Sequence, residues 1–168
     1  MVSLLEITDS QKRKLAEKIR RGISIMLKNK IAFKDVEGIL KDLEKVENEI
    51  KDKKAFFKIF FENGEIRGFY YIRVNDSEKF LAPYFETEFF YSESPKSFFK
   101  CLNFASKDLK NLKNLYPHVK SYVGYYTVDE NGKAMSHAKI ANKRIKEVLG
   151  KNMDFKEVFM TFAGKFES

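Results

Sequence analysis

Two glutamates, Glu86 and Glu88, are the residues of this sequence best suited to acid–base chemistry. They lie two apart in the segment FETEFFY, and on a strand they would share one face, with Phe85, Thr87 and Phe89 on the other. A carboxylate can take a proton from a reacting group, and two close carboxylates raise the pKa of one of them, which suits a base. We therefore take the pair as catalytic candidates.

Basic residues nearby offer a structural interpretation of the same glutamates. A salt bridge with Arg67, Arg73 or Lys79 would explain the pair, and so would a sheet face open to solvent. A strand buried on both faces would instead be apolar throughout. The segment is therefore expected to have one polar face.

The stretch YSESPKSFFK, which follows the glutamates, predicts the start of a helix. Ser94 suits the N-cap, and Pro95 suits the first helical position because its missing N–H costs nothing there. The free N–H groups, the positive dipole end, Lys96 and the hydroxyls of Ser94 and Ser97 would also suit a phosphate. Glu93 would repel one, so a capped helix without a ligand is the alternative.

The remaining reactive residues predict little chemistry. The single cysteine, Cys101, can form neither an internal disulfide nor a cysteine-based metal cluster, and it is expected to be a small buried residue. His118 and His137 fall in different elements without a third ligand at metal spacing, so no metal site is expected. Both histidines are expected at the surface.

Length and composition favour one domain over residues 1–168, in a reduced, cytoplasmic protein. No apolar run approaches the ~20 residues that span a bilayer, and the start of the chain does not resemble a signal peptide. The net charge of +8 is uneven: residues 1–54 carry +4, residues 55–97 carry −2, and residues 98–168 carry +6. An anionic partner is compatible with this distribution, but a lysine-rich proteome would also produce it. Nucleic acid is only weakly supported because arginine is scarce.

Hydrophobic periodicity predicts an α/β chain with the element order β-α-α-β-β-β-α-β-α-β. Apolar residues recur at helical spacing after Asp9, at 33–50, at 95–114 and at 133–149. The Asn-Gly pair at 63–64 joins two strands as a hairpin. The expected strands lie at 2–8, on either side of that hairpin turn, and at 79–91, 119–128 and 155–162.

This order, at this length, resembles the GNAT superfamily of acyl-CoA-dependent N-acyltransferases. The segment GEIRGFYYIR is similar to the family's hairpin strand with a glycine midway. FETEFFYSESPKSFFKCLNFASKDL is similar to its central strand, phosphate loop and following helix. TVDENGKAMSHAKIANKRIKEVLG resembles a later strand end, an Asn-led loop and a helix that closes on Leu-Gly. The resemblance covers roughly residues 2–162 and implies a mixed sheet with helices on both faces.

The resemblance implies an acetyltransferase that moves an acetyl or other acyl group from coenzyme A to a small-molecule or protein amine. Glu86 or Glu88 would take the proton of the substrate ammonium, and no metal would be needed. Backbone amides around Phe90, Tyr91 and Ser92 would orient the thioester arm, and the pyrophosphate would lie on Ser94, Lys96 and Ser97.

The family's usual proton donor to the thiolate is a tyrosine on the later helix. The equivalent position here falls at Lys146, which could donate only with a lowered pKa, or at Ala138. Tyr126 and Tyr125 on the preceding strand are the alternative donors, and their other interpretation is as core or sheet-face residues.

A second hypothesis is a non-catalytic domain on the same scaffold. Such a domain would use its basic, aromatic surface to bind a protein or nucleic acid. Neither hypothesis involves a membrane, and a strand at the sheet edge could pair across a homodimer.

Overall fold

The six strands that the structure describes lie in one sheet in the same order as along the chain. A computed structural model describes residues 1–26, 35–76, 82–128 and 136–161. Four neighbouring strands, from β1 to β4, pair antiparallel, whereas β4–β5 and β5–β6 are parallel. The strands are β1 Val2–Ser3, β2 Ala55–Glu62, β3 Glu65–Asn75, β4 Tyr84–Ser92, β5 Ser121–Val128 and β6 Asp154–Thr161.

Four α-helices lie within the described residues, and with the strands they confirm the predicted element order and mixed sheet. They are α1 Asp9–Met26, α2 Val36–Lys51, α3 Pro95–Leu115 and α4 Ser136–Leu149. Helix α2 begins where Asp35 accepts a hydrogen bond from the Gly38 N–H, at 2.8 Å. Helices α3 and α4 connect the parallel strands, as parallel pairing requires.

The sheet separates two apolar cores, so helices cover both of its faces. On one face, α1 and α2 pack on alternate residues of β2 and β3, among them Phe57 and Tyr71. These rings stack with a centroid distance of 5.7 Å, in a cross-strand aromatic series that extends to β4. On the opposite face, α3 and α4 pack on Tyr70, Phe85 and Tyr122.

The first strand is shorter than the sequence pattern predicts. Only Val2–Ser3 pairs with β2, and a short 3-10 helix, Leu4–Glu6, follows at once. Ser3 and Glu6 form a reciprocal capping box, in which the Ser3 N–H donates to the Glu6 carboxylate at 2.7 Å. The N–H groups of Ser3 and Leu5 therefore donate to side chains of the cap rather than to a neighbouring strand.

Gly68 allows α3 to lie close to the sheet. A Cβ at this position would be 2.8 Å from the Cys101 sulfur and 3.0 Å from the Tyr91 carbonyl oxygen. The cysteine is fully buried, as predicted. The glycine in GEIRGFYYIR therefore has a packing role that the structure shows directly.

Candidate functional site

Strands β4 and β5 diverge part-way along their length. They pair only at Tyr84–Ser121, Phe85–Tyr122 and Glu86–Val123, although the structure describes β4 to Ser92 and β5 to Val128. Beyond the third pair, the edge of β4 that faces β5 has no strand partner among the described residues. We call this gap the β4–β5 opening.

A side-chain contact marks the closed end of the β4–β5 opening. The hydroxyl oxygens of Thr87 and Tyr122 lie 2.6 Å apart and so join β4 to β5 just beyond their paired residues. Tyr122 is fully buried, and burial raises the pKa of its hydroxyl. The contact is therefore a neutral hydrogen bond at physiological pH.

The two candidate glutamates lie where the strands separate. Glu86 is in the last paired position and only 3% exposed, whereas the Glu88 side chain is 36% exposed. Both contact one guanidinium nitrogen: Arg73 Nη1 is 3.3 Å from Glu86 Oε1 and 3.5 Å from Glu88 Oε1. The salt bridge with Arg73 is thus present, whereas Lys79 lies outside the described residues.

A β-bulge brings Glu88 to this position and corrects one expectation about the strand. Tyr71 pairs with Phe89 and Ile72 with Thr87, so Glu88 has no direct partner in β3. The extra residue shifts the alternation, and Phe89 stacks on Tyr71 at a centroid distance of 6.3 Å. Phe89 was expected opposite the glutamates, but it lies on their side of the sheet.

A third glutamate, Glu49 of α2, completes the cluster around Arg73. Its carboxylate accepts a hydrogen bond from Arg73 Nη2 at 3.2 Å and another from the Tyr71 hydroxyl. Burial alone would lower the pKa of Arg73, but Tyr71 and the three glutamates raise it. Arg73 therefore remains charged, and its buried Nε has no hydrogen-bond partner in the described parts of the chain. We call Glu49, Arg73, Glu86 and Glu88 the Arg73 cluster.

At the start of α3, the groups predicted to bind a phosphate form hydrogen bonds with one another. The Ser97 hydroxyl is fully buried and accepts hydrogen bonds from the N–H groups of Glu93 and Ser94, at 3.1 and 3.0 Å. The Ser97 N–H donates to the Ser94 hydroxyl at 3.1 Å, and the Phe98 N–H donates to the Ser94 carbonyl. Ser94 and Ser97 thus form the helix cap, and in this conformation their hydroxyls are hydrogen-bonded to each other and to the backbone of the turn.

Charged residues around this turn are paired as well. Lys96 forms an ion pair with Glu62 at the end of β2, and its side chain is 69% exposed. Glu93 accepts hydrogen bonds from Lys18, from Arg67 at 3.0 Å and from the Tyr91 hydroxyl at 3.0 Å. Burial of Glu93 opposes the effect of these donors, but they hold its pKa below the ordinary value.

The other predicted site residues fall on β4 and β5. Phe90 faces α3, where its ring lies 5.5 Å from that of Phe98, and Tyr91 faces α1. Ser92 pairs with Gly68 at the end of β4. Tyr126 lies in β5, beyond the residues that pair with β4, and is opposite Phe159 of β6. Its side chain lies outside the described part of the structure.

The sequence did not identify Glu49 as a partner of Arg73, and it did not identify Lys18 and Arg67 as partners of Glu93. Glu49 belongs to the polar face of an amphipathic helix, and nothing in its local sequence distinguishes it from Glu44 or Glu47. Its role depends on how α2 packs against β3, which is a tertiary contact. A local signal existed only for the glutamates on the strand.

Both histidines lie at the surface, as expected. His118 and His137 are both exposed, and His137 lies beside Phe98 with a ring distance of 6.1 Å. Within the residues that the structure describes, no group of three or more His, Cys, Asp or Glu side chains could hold a metal ion. Among the helices described, none is both long and apolar enough to cross a membrane.

Comparisons with known proteins give limited similarity. No family model matches the chain, and no curated protein matches it. A similar solved structure is that of a predicted acetyltransferase with acetyl-CoA from Clostridium acetobutylicum, at 17% sequence identity. The match covers 66% of this chain and 71% of that chain, with a TM-score of 0.40.

Proposed function

We propose that the protein is an N-acyltransferase that moves an acetyl or other acyl group from coenzyme A to an amine. The β4–β5 opening is the observation that carries this proposal. It leaves the edge of a central strand without a strand partner among the residues that the structure describes, next to two carboxylates on the same strand. Such an edge can receive an extended ligand, and such carboxylates can receive a proton.

The arm of an acyl-CoA suits the opening because it is extended and contains amide groups. Amide N–H and C=O groups can pair with a strand edge as an added peptide strand does. Backbone groups of Phe90, Tyr91 and Ser92, on the unpaired part of β4, would hold the arm. The thioester would then lie toward the closed end, near Glu86 and Thr87.

The phosphates would lie at the start of α3, where Lys96 supplies positive charge. Its ion pair with Glu62 is at the surface, so exchange for a phosphate costs little. Ser94 and Ser97 would contribute only if the cap rearranged, because their hydroxyls are engaged with each other and with the turn. Lys96 is therefore the side chain on which the phosphate contact depends.

Glu88 is the better placed of the two carboxylates to act as the base. It is partly exposed and shares Arg73 with Glu49 and Glu86, whereas Glu86 is almost fully buried. The substrate ammonium would lose a proton to Glu88, and the free amine would attack the thioester carbonyl. The carbon–sulfur bond then breaks, and the thiolate takes a proton, for which Tyr126 is our candidate donor.

Thermal unfolding with and without acetyl-CoA tests this proposal. Ligand at about a hundredfold excess over Kd stabilises the folded state by about 2.7 kcal/mol, or several degrees in Tm. Lys96→Gln should reduce the shift, whereas Lys100→Gln, one turn along the same helix, should leave it unchanged. S-acetylpantetheine, which has the arm without the nucleotide, should give a smaller shift that does not depend on Lys96.

Two observations favour a second candidate, a non-catalytic binding domain. The N–H groups of Ser94 and Ser97, which could bind a phosphate, already donate to the hydroxyls of these two serines. Arg73 also neutralises part of the negative charge of Glu86 and Glu88. If millimolar acetyl-CoA produces no shift in Tm, the acyltransferase proposal is wrong and the binding domain is favoured. A shift without turnover on any amine tested would point to a domain that binds the cofactor but has lost the chemistry.

A further inference from the structure

Two exposed apolar side chains lie on the neighbouring helices α3 and α4. Among the residues that the structure describes, four large apolar side chains are exposed, and they are Leu5, Phe99, Leu115 and Ile140. Phe99 of α3 is 47% exposed and Ile140 of α4 is 45% exposed, so neither belongs to the apolar cores. Exposed apolar side chains that occur singly need no explanation, but two that lie together form a surface on which a ligand can pack.

Two contacts align α3 with α4. At one end, the ring of the buried Phe98 lies 6.1 Å from the ring of His137. Further along, Arg144 Nη1 of α4 donates to Asn103 Oδ1 of α3 at 3.1 Å. Both helices run in the same direction because each connects parallel strands. The first part of α4 therefore lies beside the first part of α3.

Phe99 and Ile140 lie within this aligned stretch. Phe99 comes one turn before Asn103, and Ile140 comes one turn before Arg144, so each apolar side chain is about 40° around its helix from the residue that makes the contact. Both therefore lie at the rim of the groove between the two helices. The Phe99 ring also packs edge to face on Phe98, at a centroid distance of 5.1 Å. We call Phe99, Asn103, Ile140 and Arg144 the α3–α4 groove.

The α3–α4 groove begins beside the proposed phosphate contact. Lys96, on which that contact depends, comes three residues before Phe99, and side chains at this spacing on a helix have Cβ atoms about 5–6 Å apart. The Lys96 side chain is 69% exposed, so it can reach a phosphate at this end of the groove. The base of a nucleotide is joined to its phosphates through a single ribose. A nucleotide whose phosphates contact Lys96 can therefore bring its base to Phe99.

We propose that the α3–α4 groove binds the adenine base of the acyl-CoA donor, an inference that rests on the proposed function. Bases stack on aromatic rings, and Phe99 supplies the ring while Ile140 supplies an apolar side wall. Arg144 uses the oxygen of the Asn103 amide, and the amide nitrogen can donate to a ring nitrogen of the base. The groove therefore favours coenzyme A over a donor that carries the same arm without the base.

The small size of the apolar surface favours a base over a protein partner. A stable protein interface takes about 20–30 residues on each side, whereas Phe99 and Ile140 are the two large apolar side chains exposed on the described parts of α3 and α4 near the phosphate contact. One base is flat and apolar on its faces and polar at its edge. The groove has the same combination, because an amide and a guanidinium lie one turn beyond the apolar pair.

Isothermal titration calorimetry with acetyl-CoA tests the proposal. Phe99→Ser should weaken binding about tenfold, which is within the usual effect of losing a base–aromatic stack. Phe99→Trp should keep the affinity because it keeps an aromatic face. Ile140→Ser should weaken binding as well, and an unchanged affinity in either serine variant would overturn the proposal. S-acetylpantetheine lacks the base, so it should bind Phe99→Ser and the unmodified protein equally.

Leu115→Ser is the matched control, because it removes another exposed apolar side chain from α3, at the opposite end of the helix. It should bind acetyl-CoA like the unmodified protein. An equal loss of affinity in Leu115→Ser and Phe99→Ser would contradict the proposal, and so would a loss of S-acetylpantetheine binding in Phe99→Ser. Melting curves without ligand show whether both variants are folded.

Adenosine diphosphate, which has the base and phosphates without the arm, separates this proposal from the proposed function. If it binds the unmodified protein more tightly than Phe99→Ser but no amine is acetylated, the groove is a nucleotide site and acyl transfer fails. If acetyl-CoA is turned over but adenosine diphosphate binds both proteins equally, the groove inference fails alone. If neither acetyl-CoA nor adenosine diphosphate binds, both proposals fail.

Discussion

Arg73 Nη1 lies 3.3 Å from Glu86 Oε1, directly across the β3–β4 pair, and the Glu86 side chain is only 4% exposed. The guanidinium therefore supplies a positive charge beside a buried carboxylate in the middle of the sheet. Since the same group also contacts Glu49 and Glu88, Arg73 holds α2, β3 and the bulge of β4 in one arrangement.

Replacement of Arg73 by methionine should destabilise the protein by about 3 kcal/mol, because it removes the positive charge that lies 3.3 Å from the buried Glu86 carboxylate. Chemical denaturation monitored by circular dichroism measures this loss. Arg67→Met is the control: Arg67 also contacts a glutamate, but it is 43% exposed, so its loss should stay within about 1 kcal/mol. An equal decrease in the free energy of unfolding in the two variants would show that burial does not make the ion pairs of Arg73 more important for stability than those of Arg67.

Glu88→Gln should abolish turnover on an amine while keeping the acetyl-CoA-dependent shift in Tm. The amide has nearly the shape of the carboxylate but cannot accept the proton. Glu86→Gln should mainly reduce the free energy of unfolding, because Glu86 is the buried partner of Arg73. Initial rates and melting curves of both variants separate the two roles. Full activity in Glu88→Gln would remove Glu88 from the mechanism.

Ser97→Ala should cost about 1–3 kcal/mol, because the Ser94 N–H would lose its buried acceptor, whereas the Glu93 N–H would keep the Arg67 carbonyl at 3.0 Å. Ser106→Ala, in the same helix, is the control. Its hydroxyl only donates to the Leu102 carbonyl, at 2.7 Å, so its loss should change stability by less than about 1 kcal/mol. If acetyl-CoA restores the Tm of Ser97→Ala more than that of the unmodified protein, the ligand's phosphates are the substitute acceptor.

The order and type of the elements could be predicted from the sequence because their signals are local. An Asn-Gly turn, apolar alternation in AFFKIFF and a Ser-Pro helix start all depend on neighbouring residues. The same holds for the end of α4, where Gly150 has a φ of 83°. Agreement of these signals with the fold extends through the four helices and six strands that the structure describes.

The site could be predicted only in part, because its geometry depends on register. A bulge adds one residue to β4 at Glu88, and no residue pattern in the sequence predicts it. Because of the bulge, Phe89 lies on the same side of the sheet as the glutamates rather than on the opposite side. The capping role of Ser97 was likewise open, since a hydroxyl at that position suits both a cap and an anion. Which role it has depends on its burial beneath the turn, and burial is a tertiary property.

Alkaline pH should destabilise the protein through its buried thiol. Burial raises the pKa of Cys101 from its ordinary value near 9 to about 12. Between these values the unfolded chain loses the thiol proton while the folded protein keeps it. The free energy of unfolding should therefore decrease by about 1.4 kcal/mol per pH unit across this range. Burial also raises the pKa of Tyr70, Tyr71 and Tyr122, so their contributions have the same sign.

Cys101→Ala isolates the contribution of the thiol. The variant should be less stable at neutral pH because it loses buried contacts, but its free energy of unfolding should decrease less steeply between pH 9 and about 12. Urea unfolding at a series of pH values measures both slopes. An identical slope in the two proteins would mean that Cys101 ionises in the folded state as easily as in the unfolded chain. In that case, its burial beneath Gly68 would not be tight enough to exclude water.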